Sequence, residues 1–228
     1  MLVSLSHNLA FVHYPKTGGM SVTDLLTSSL PDARLIDPGS RHLDLPHGLK
    51  RLMYQNRPIR RRLAEFLGRP IGRCDVTLPA PLELRVLGIL RDPFEMTVSL
   101  FEYWGRKLPE EEKHHSPLAG AATRGDFQAF LRIMASDRQS FPTYRRFYDF
   151  GGPLWARTTL VDFAHLRNGL AEALARLGIK ADLDRLRHLN AGNRTSERMP
   201  DFEREAGPLA GSIRRRFGWD QRPNLLKG

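Results

Sequence analysis

Cysteine is nearly absent: Cys74 is the only one in 228 residues. A single thiol supports neither an internal disulfide framework nor a cysteine-based zinc site. Nothing in the composition therefore calls for an oxidising compartment, and a reducing cytoplasm is the expected setting. Long apolar runs are missing too; none approaches the roughly 18 residues of a transmembrane helix, so no membrane span is expected. Met1 to Tyr14 has no basic segment ahead of its apolar stretch and no small-residue cleavage site, and it reads as a first β-strand and not as a secretory signal. Repeats, low-complexity blocks and long linkers are lacking, and 41% apolar residues is too many for a disordered chain. One domain over residues 1–228 is expected, long enough to bury a core.

Lysine is the second scarcity. Only 6 of the 35 basic residues are lysine and 29 are arginine; with 25 acidic residues the formal charge is +10. The guanidinium offers a planar fork matched to phosphate, sulfate and carboxylate. A GC-rich genome biases codons the same way, so the surplus by itself admits three partner classes: nucleic acid, an anionic cofactor, or an anionic substrate or surface. The two commonest nucleotide-binding loops, G-x-x-x-x-G-K-[ST] and G-x-G-x-x-G, do not occur.

What the chain does contain is an α/β pattern. Leu9 to Tyr14 is a short apolar run suited to a strand buried on both faces, and Gly18-Gly19 then leads into Val22, Leu25, Leu26 and Leu30 at helical spacing. Leu84 to Leu90 is a second such strand. It runs into Arg91-Asp92-Pro93, with Asp92 placed as N-cap and Pro93 as first residue of a helix that carries Phe94, Val98, Phe101 and Trp104. Thr158 to Val161 reads as a third strand, followed by an amphipathic helix through Leu166, Leu170, Ala173, Leu174 and Leu177 that stops at Gly178. Repeated strand-to-helix units predict a parallel sheet flanked by helices. Residues 31–83 and 105–125 are expected as insertions over that sheet. Phe202, Ala206, Leu209, Ile213 and Phe217 share one helical face that Gly207-Pro208 could interrupt.

The segment Pro15-Lys16-Thr17-Gly18-Gly19-Met20-Ser21, between strand and helix, has the makings of a phosphate cradle. Glycines allow close backbone approach, the helix N-terminus presents N–H groups and partial positive charge, and Lys16, Thr17 and Ser21 add a cation and hydroxyls. Arg91 at the end of the second strand and Ser99 two turns into its helix can converge on a second anion above the sheet. Taken alone, Arg-Asp-Pro is also a plain capping signature.

Together, F-V-H-Y-P-K-T-G-G-M-S and V-L-G-I-L-R-D-P-F-E-M-T-V-S-L-F-E-Y-W resemble the two cofactor motifs of sulfotransferases that use 3′-phosphoadenosine 5′-phosphosulfate (PAPS), nearest to the carbohydrate branch and its bacterial members. The resemblance implies a P-loop-NTPase-like fold. It implies that Lys16, Thr17, Gly18, Gly19 and Ser21 hold the 5′ end of the cofactor, and that Arg91 and Ser99 hold its 3′-phosphate. It extends more weakly to Thr159 to Phe163 and to Leu186-Arg187-His188-Leu189-Asn190, with Arg194 beyond as a further cofactor contact. Met20 departs from the usual Thr and Met96 from the usual Arg, which leaves room for a divergent or inactive member.

Such an enzyme moves a sulfuryl group from PAPS to a hydroxyl, here a carbohydrate's, and leaves 3′,5′-adenosine bisphosphate; Lys16 would meet the developing charge without a metal. A base is also needed. The carbohydrate branch places a base histidine in the region of His42 and His47, and His42 is favoured. Asp44, Glu83 and Glu102 are alternatives, and His13 reads as a core residue. Adjacent His114 and His115, near Glu110 to Glu112, read as solvated loop and not as a metal site. Tyr103 and Trp104 read as core. Arg57, Arg60, Arg61 and Arg62, and Arg214, Arg215 and Arg216, read as solvated faces that favour an anionic glycan if they border an acceptor cleft. The rivals are a small-molecule kinase, a basic polyanion- or nucleic-acid-binding protein, and a degenerate sulfotransferase fold that only binds. No specific nucleic-acid partner is expected.

Overall fold

The computed structural model describes residues 1–39, 42–55, 84–107, 116–136, 141–152, 154–186, 197–222 and 226. Among these residues five strands, β1 (Leu2–Ser4), β2 (Leu9–Val12), β3 (Arg34–Leu35), β4 (Arg85–Leu90) and β5 (Thr158–Asp162), form one sheet in the order β3-β1-β2-β4-β5. β2, β4 and β5 are parallel neighbours, as the strand-to-helix units predict. The sheet as a whole is mixed and not parallel, because β1 runs antiparallel to both β2 and β3. The expected single N-terminal strand is in fact a hairpin. Its turn closes through the Asn8 N–H donating to the Leu5 carbonyl at 3.3 Å, with Asn8 at φ 49°, a left-handed conformation that asparagine tolerates. Asp32, just past the following helix, accepts from the Ser4 hydroxyl at 2.6 Å and the Ser6 N–H at 2.9 Å and so anchors the turn.

Side chains alternate across the parallel strands, with apolar residues on both faces. Leu9, Phe11, Leu87, Ile89 and Val161 meet α1 (Gly19–Ser29) and α7 (Leu166–Arg176) through Val22, Leu25, Leu26, Leu170 and Leu174. Ala10, Val12, Val86 and Leu90 face a larger cluster. Over it lie α2 (Leu45–Gln55), α3 (Pro93–Lys107), α4 (Pro117–Thr123), α5 (Phe127–Ser136), α6 (Tyr144–Phe147), α8 (Met199–Ala206) and α9 (Pro208–Arg216). Part of the expected insertion at 105–125 is thus core: α4 buries Leu118, Ala121 and Ala122. The Phe202-to-Phe217 face is split at Gly207, φ 51°, into α8 and α9, and Phe202, Ala206, Ile213 and Phe217 remain in one cluster. α7 stops at Gly178 as expected, with Ile179 N–H returning to Leu174 O at 2.9 Å.

Beyond Val12, β2 turns away from β4. The β4 amides on that side are marked by the Arg85 N–H donating to Asn8 O at 2.7 Å, and every second residue from there, Ile89 and Arg91 included, points the same way. Two tyrosines near α6 take the place of the departed strand. The Tyr148 hydroxyl accepts from Ile89 N–H at 3.1 Å and donates to Ile89 O at 2.7 Å; Tyr144 does the same at Arg91, at 3.4 and 2.6 Å. Burial pushes both phenols up, so they stay protonated and keep the donor these pairs require. The strands therefore splay without leaving these buried backbone groups unpaired.

Candidate functional site at the ends of the parallel strands

The splay separates the carboxyl ends of β2 and β4, and in open α/β sheets it is the crevice at these strand ends that binds ligands. The loop after β2 forms its first wall. Lys16 stands at φ 61°, in the left-handed region that a side chain disfavours, and Gly18 at φ 75°. The Thr17 hydroxyl, fully buried, donates to Tyr14 O at 2.9 Å and braces the turn, so its proton faces inward and not toward a ligand. A Cβ on Gly19 would stand 1.9 Å from the His13 ring, and one on Gly18 2.9 Å from the Phe163 ring. Gly18 occupies the N-cap of α1 and provides no side-chain cap. Ser21 is buried in the first helical turn, while Met20 is exposed.

Arg91 joins the strand ends. Its Nη1 donates to Lys16 O at 3.1 Å, its Nε to Glu95 Oε2 at 3.4 Å, and its guanidinium stacks 4.6 Å from the Phe163 ring, one residue past β5. The Arg91 side chain is 15% exposed, so these contacts hold it largely inside the crevice wall. Glu95, Ser99 and Tyr103 succeed one another at i, i+4 and i+8 on α3. The first touches Arg91 and the last carries the Lys16 ammonium 4.1 Å above its ring. Ser99, half-buried, lies between them on the face that looks toward the loop. Burial, and then the neighbouring Arg91 and Arg106, lower the Lys16 pKa from the ordinary lysine value. Met96 points the other way and is fully buried in the large cluster, so this departure from the resembled motif does not face the crevice.

The histidines separate. His42 meets the loop: its Nδ1 lies 3.2 Å from His13 O, and its ring packs edge-on to the buried His13 ring at 4.5 Å between centroids. A carbonyl only accepts, so in the neutral ring Nδ1 carries the hydrogen and Nε2 is the basic nitrogen. His47 is 70% exposed and engages Asp44, at 2.7 Å, in the cap of α2. Glu102 pairs with Arg106 at 3.9 Å and Arg198 at 3.6 Å. Arg194, Glu83, His114, His115 and the basic run at Arg57 to Arg62 lie outside the described residues.

Several contributors have no local signature. Tyr103, expected in the core, is 44% exposed, whereas Trp104 does pack against the large cluster. Arg222 reaches back to pair with Asp162 at the end of β5 and stacks 4.9 Å from Trp219. The run at 214–216 is not a free solvated face. Arg214 bridges Asp92 at 2.8 Å and Glu203 at 2.7 Å, and Arg216 donates to the carbonyls of Met134 and Phe141. Only Arg215 of the three is exposed. Among the described residues no group of three or more His, Cys, Asp or Glu could hold a metal ion, and no helix is long and apolar enough to cross a membrane. Comparisons with protein-family models, with curated proteins and with solved structures found no significant match.

Proposed function

We propose that the protein is a P-loop-like sulfotransferase that moves a sulfuryl group from PAPS to a carbohydrate hydroxyl, acting in the cytoplasm. The observation that carries this reading is the 3.1 Å contact between Arg91 and the backbone of Lys16. It gathers two cations and an N-terminus without a side-chain cap, from different strand ends, in one crevice. That combination suits a nucleotide bearing two separate anionic groups. The lone cysteine supports the compartment.

In this reading Lys16, Gly18, Gly19, Thr17 through its backbone, and Ser21 hold the 5′ end, and Arg91 and Ser99 take the 3′-phosphate. The cofactor supplies an activated sulfuryl group: the acceptor oxygen bonds to sulfur as the bond from sulfur to the bridging phosphate oxygen breaks. Lys16 and the α1 amides neutralise charge on the departing phosphate, worth about 10² to 10³ in rate per donor. His42 Nε2 accepts the acceptor's proton, because His42 alone of the two candidate histidines contacts the loop that carries Lys16.

The test is a thermal-shift comparison of 3′,5′-adenosine bisphosphate, ATP with Mg²⁺, and an RNA oligomer. Stabilisation by the first alone, lost in Lys16→Ala and weakened in Arg91→Ala, is the expected result. Stabilisation by ATP with Mg²⁺ alone selects a kinase, and by RNA alone a polyanion-binding protein; either outcome overturns the proposal.

A further inference from the structure

A cavity of about 740 Å³ opens where α5, α6 and α9 meet, away from the loop of Lys16. Four of its lining residues are arginines, Arg145 and Arg146 from α6 and Arg215 and Arg216 from α9, with Ser136 and Thr143 beside them. Among the described lining residues none is acidic and none is aromatic. Arg216 is fixed by its two carbonyl partners, and the Arg215 Nη2 lies 3.1 Å from Ser212 Oγ, so part of the constellation is held in place before any ligand arrives. Like charges gathered in one concavity repel, and Arg145, Arg146 and Arg215 converge there with the hydroxyls of Ser136 and Thr143. An oxyanion balances them.

The volume is that of a small-ligand site. Guanidinium forks match sulfate and carboxylate, and flanking hydroxyls match those of sugars. A groove for single-stranded nucleic acid would instead present rings for base stacking. α6 links this cavity to the crevice: Tyr144 holds the Arg91 backbone, and the next two residues line the cavity. We infer that the cavity binds a sulfated or carboxylated sugar unit of the acceptor. The identity of the ligand rests on the carbohydrate reading above; the site itself does not.

The experiment titrates a fluorescein-labelled sulfated, uronic-acid-containing hexasaccharide into the full chain by fluorescence anisotropy, without nucleotide, at physiological salt. The double variant Arg145→Ala/Arg215→Ala removes two exposed cavity cations, and Arg185→Ala/Arg204→Ala removes two exposed cations elsewhere. The cavity variant should weaken binding by about tenfold or more, and the control by less than about threefold. The neutral hexasaccharide should not bind. The cavity variant should retain stabilisation by 3′,5′-adenosine bisphosphate. Equal losses in the two double variants, or equal binding of the neutral sugar, overturn the cavity. An RNA oligomer bound as tightly, with the same loss in the cavity variant, overturns the sugar. Selective sugar binding with no nucleotide stabilisation supports the cavity and sinks only the reading of the crevice.

Discussion

The turn after β2 and the turn after β4 both lead a strand buried on both faces into a helix, yet they leave the two helices with opposite N-termini. At α1 the cap is Gly18, with no side chain to offer, and the loop before it is bent through two left-handed residues, Lys16 and Gly18. At α3 the cap is Asp92, whose Oδ1 accepts from Phe94 N–H at 2.8 Å and Glu95 N–H at 3.2 Å while Oδ2 pairs with Arg214. The anionic position at α3 is therefore filled by the protein's own carboxylate, whereas no side chain fills it at α1. An exogenous anion at the second motif must be met by side chains such as Arg91 and Ser99 and not by the helix end. This asymmetry separates a binding turn from a bracing turn.

The sharpest way to break the comparison is Gly19→Ala. Its methyl would fall 1.9 Å from a buried imidazole, and it should cost about 2–3 kcal/mol by chemical denaturation, since His13 must move within a packed site. At the bracing turn, Asp92→Ala should cost about 1–2 kcal/mol through the lost cap. Asp92→Asn keeps a capping oxygen and should lose only about 0.5–1 kcal/mol with the Arg214 pair. Equal losses for the two substitutions would show that the ion pair, and not the cap, fixes this turn.

The smallest effect on stability concerns Lys16, and here pH supplies the sign. The folded chain disfavours the charged ammonium, chiefly through burial and then through Arg91 and Arg106. The resulting penalty is fully present below the lowered pKa and disappears as pH rises toward the ordinary lysine value. Lys16→Met should therefore stabilise the ligand-free protein at neutral pH, by no more than about 0.5 kcal/mol once solvent screening is allowed for. Thermal denaturation should show that advantage vanishing in alkali. Affinity for 3′,5′-adenosine bisphosphate should fall over the same alkaline window in wild type and stay flat in the variant. A binding curve that falls equally in both would remove Lys16 from the anion site.

Much of this architecture was legible in the residues. Short apolar runs, Asp92-Pro93, Gly178 and the glycine turn are local signals, and the structure has three parallel strands, the α3 cap and the α7 stop where those signals put them. The hairpin was not legible because Leu2 to Ser4 is too short to stand apart from the run at Leu9 to Tyr14, and the turn between them relies on a non-glycine residue, Asn8, in a left-handed conformation. The exposure of Tyr103 is a different case. It follows Glu95 and Ser99 at i+8 and i+4, half a turn round α3 from Phe94, so helical periodicity already sets it off the core face, and the position of the β2 loop decides that it meets Lys16.

The sequence alone determined the turns after β2 and β4, the three buried parallel strands, and that a cation precedes a glycine turn at a helix N-terminus. Those are consequences of local sterics and apolar periodicity. Tertiary structure decided the employment of the cations. Arg91 engages Lys16 across 75 positions, Arg214 engages Asp92 across 122, and Arg216 engages Phe141 across 75. No sequence-local pattern distinguishes an arginine held by a distant carbonyl or carboxylate from one that faces an open cavity. The distinction arises only when the helices pack and each guanidinium's neighbours are set.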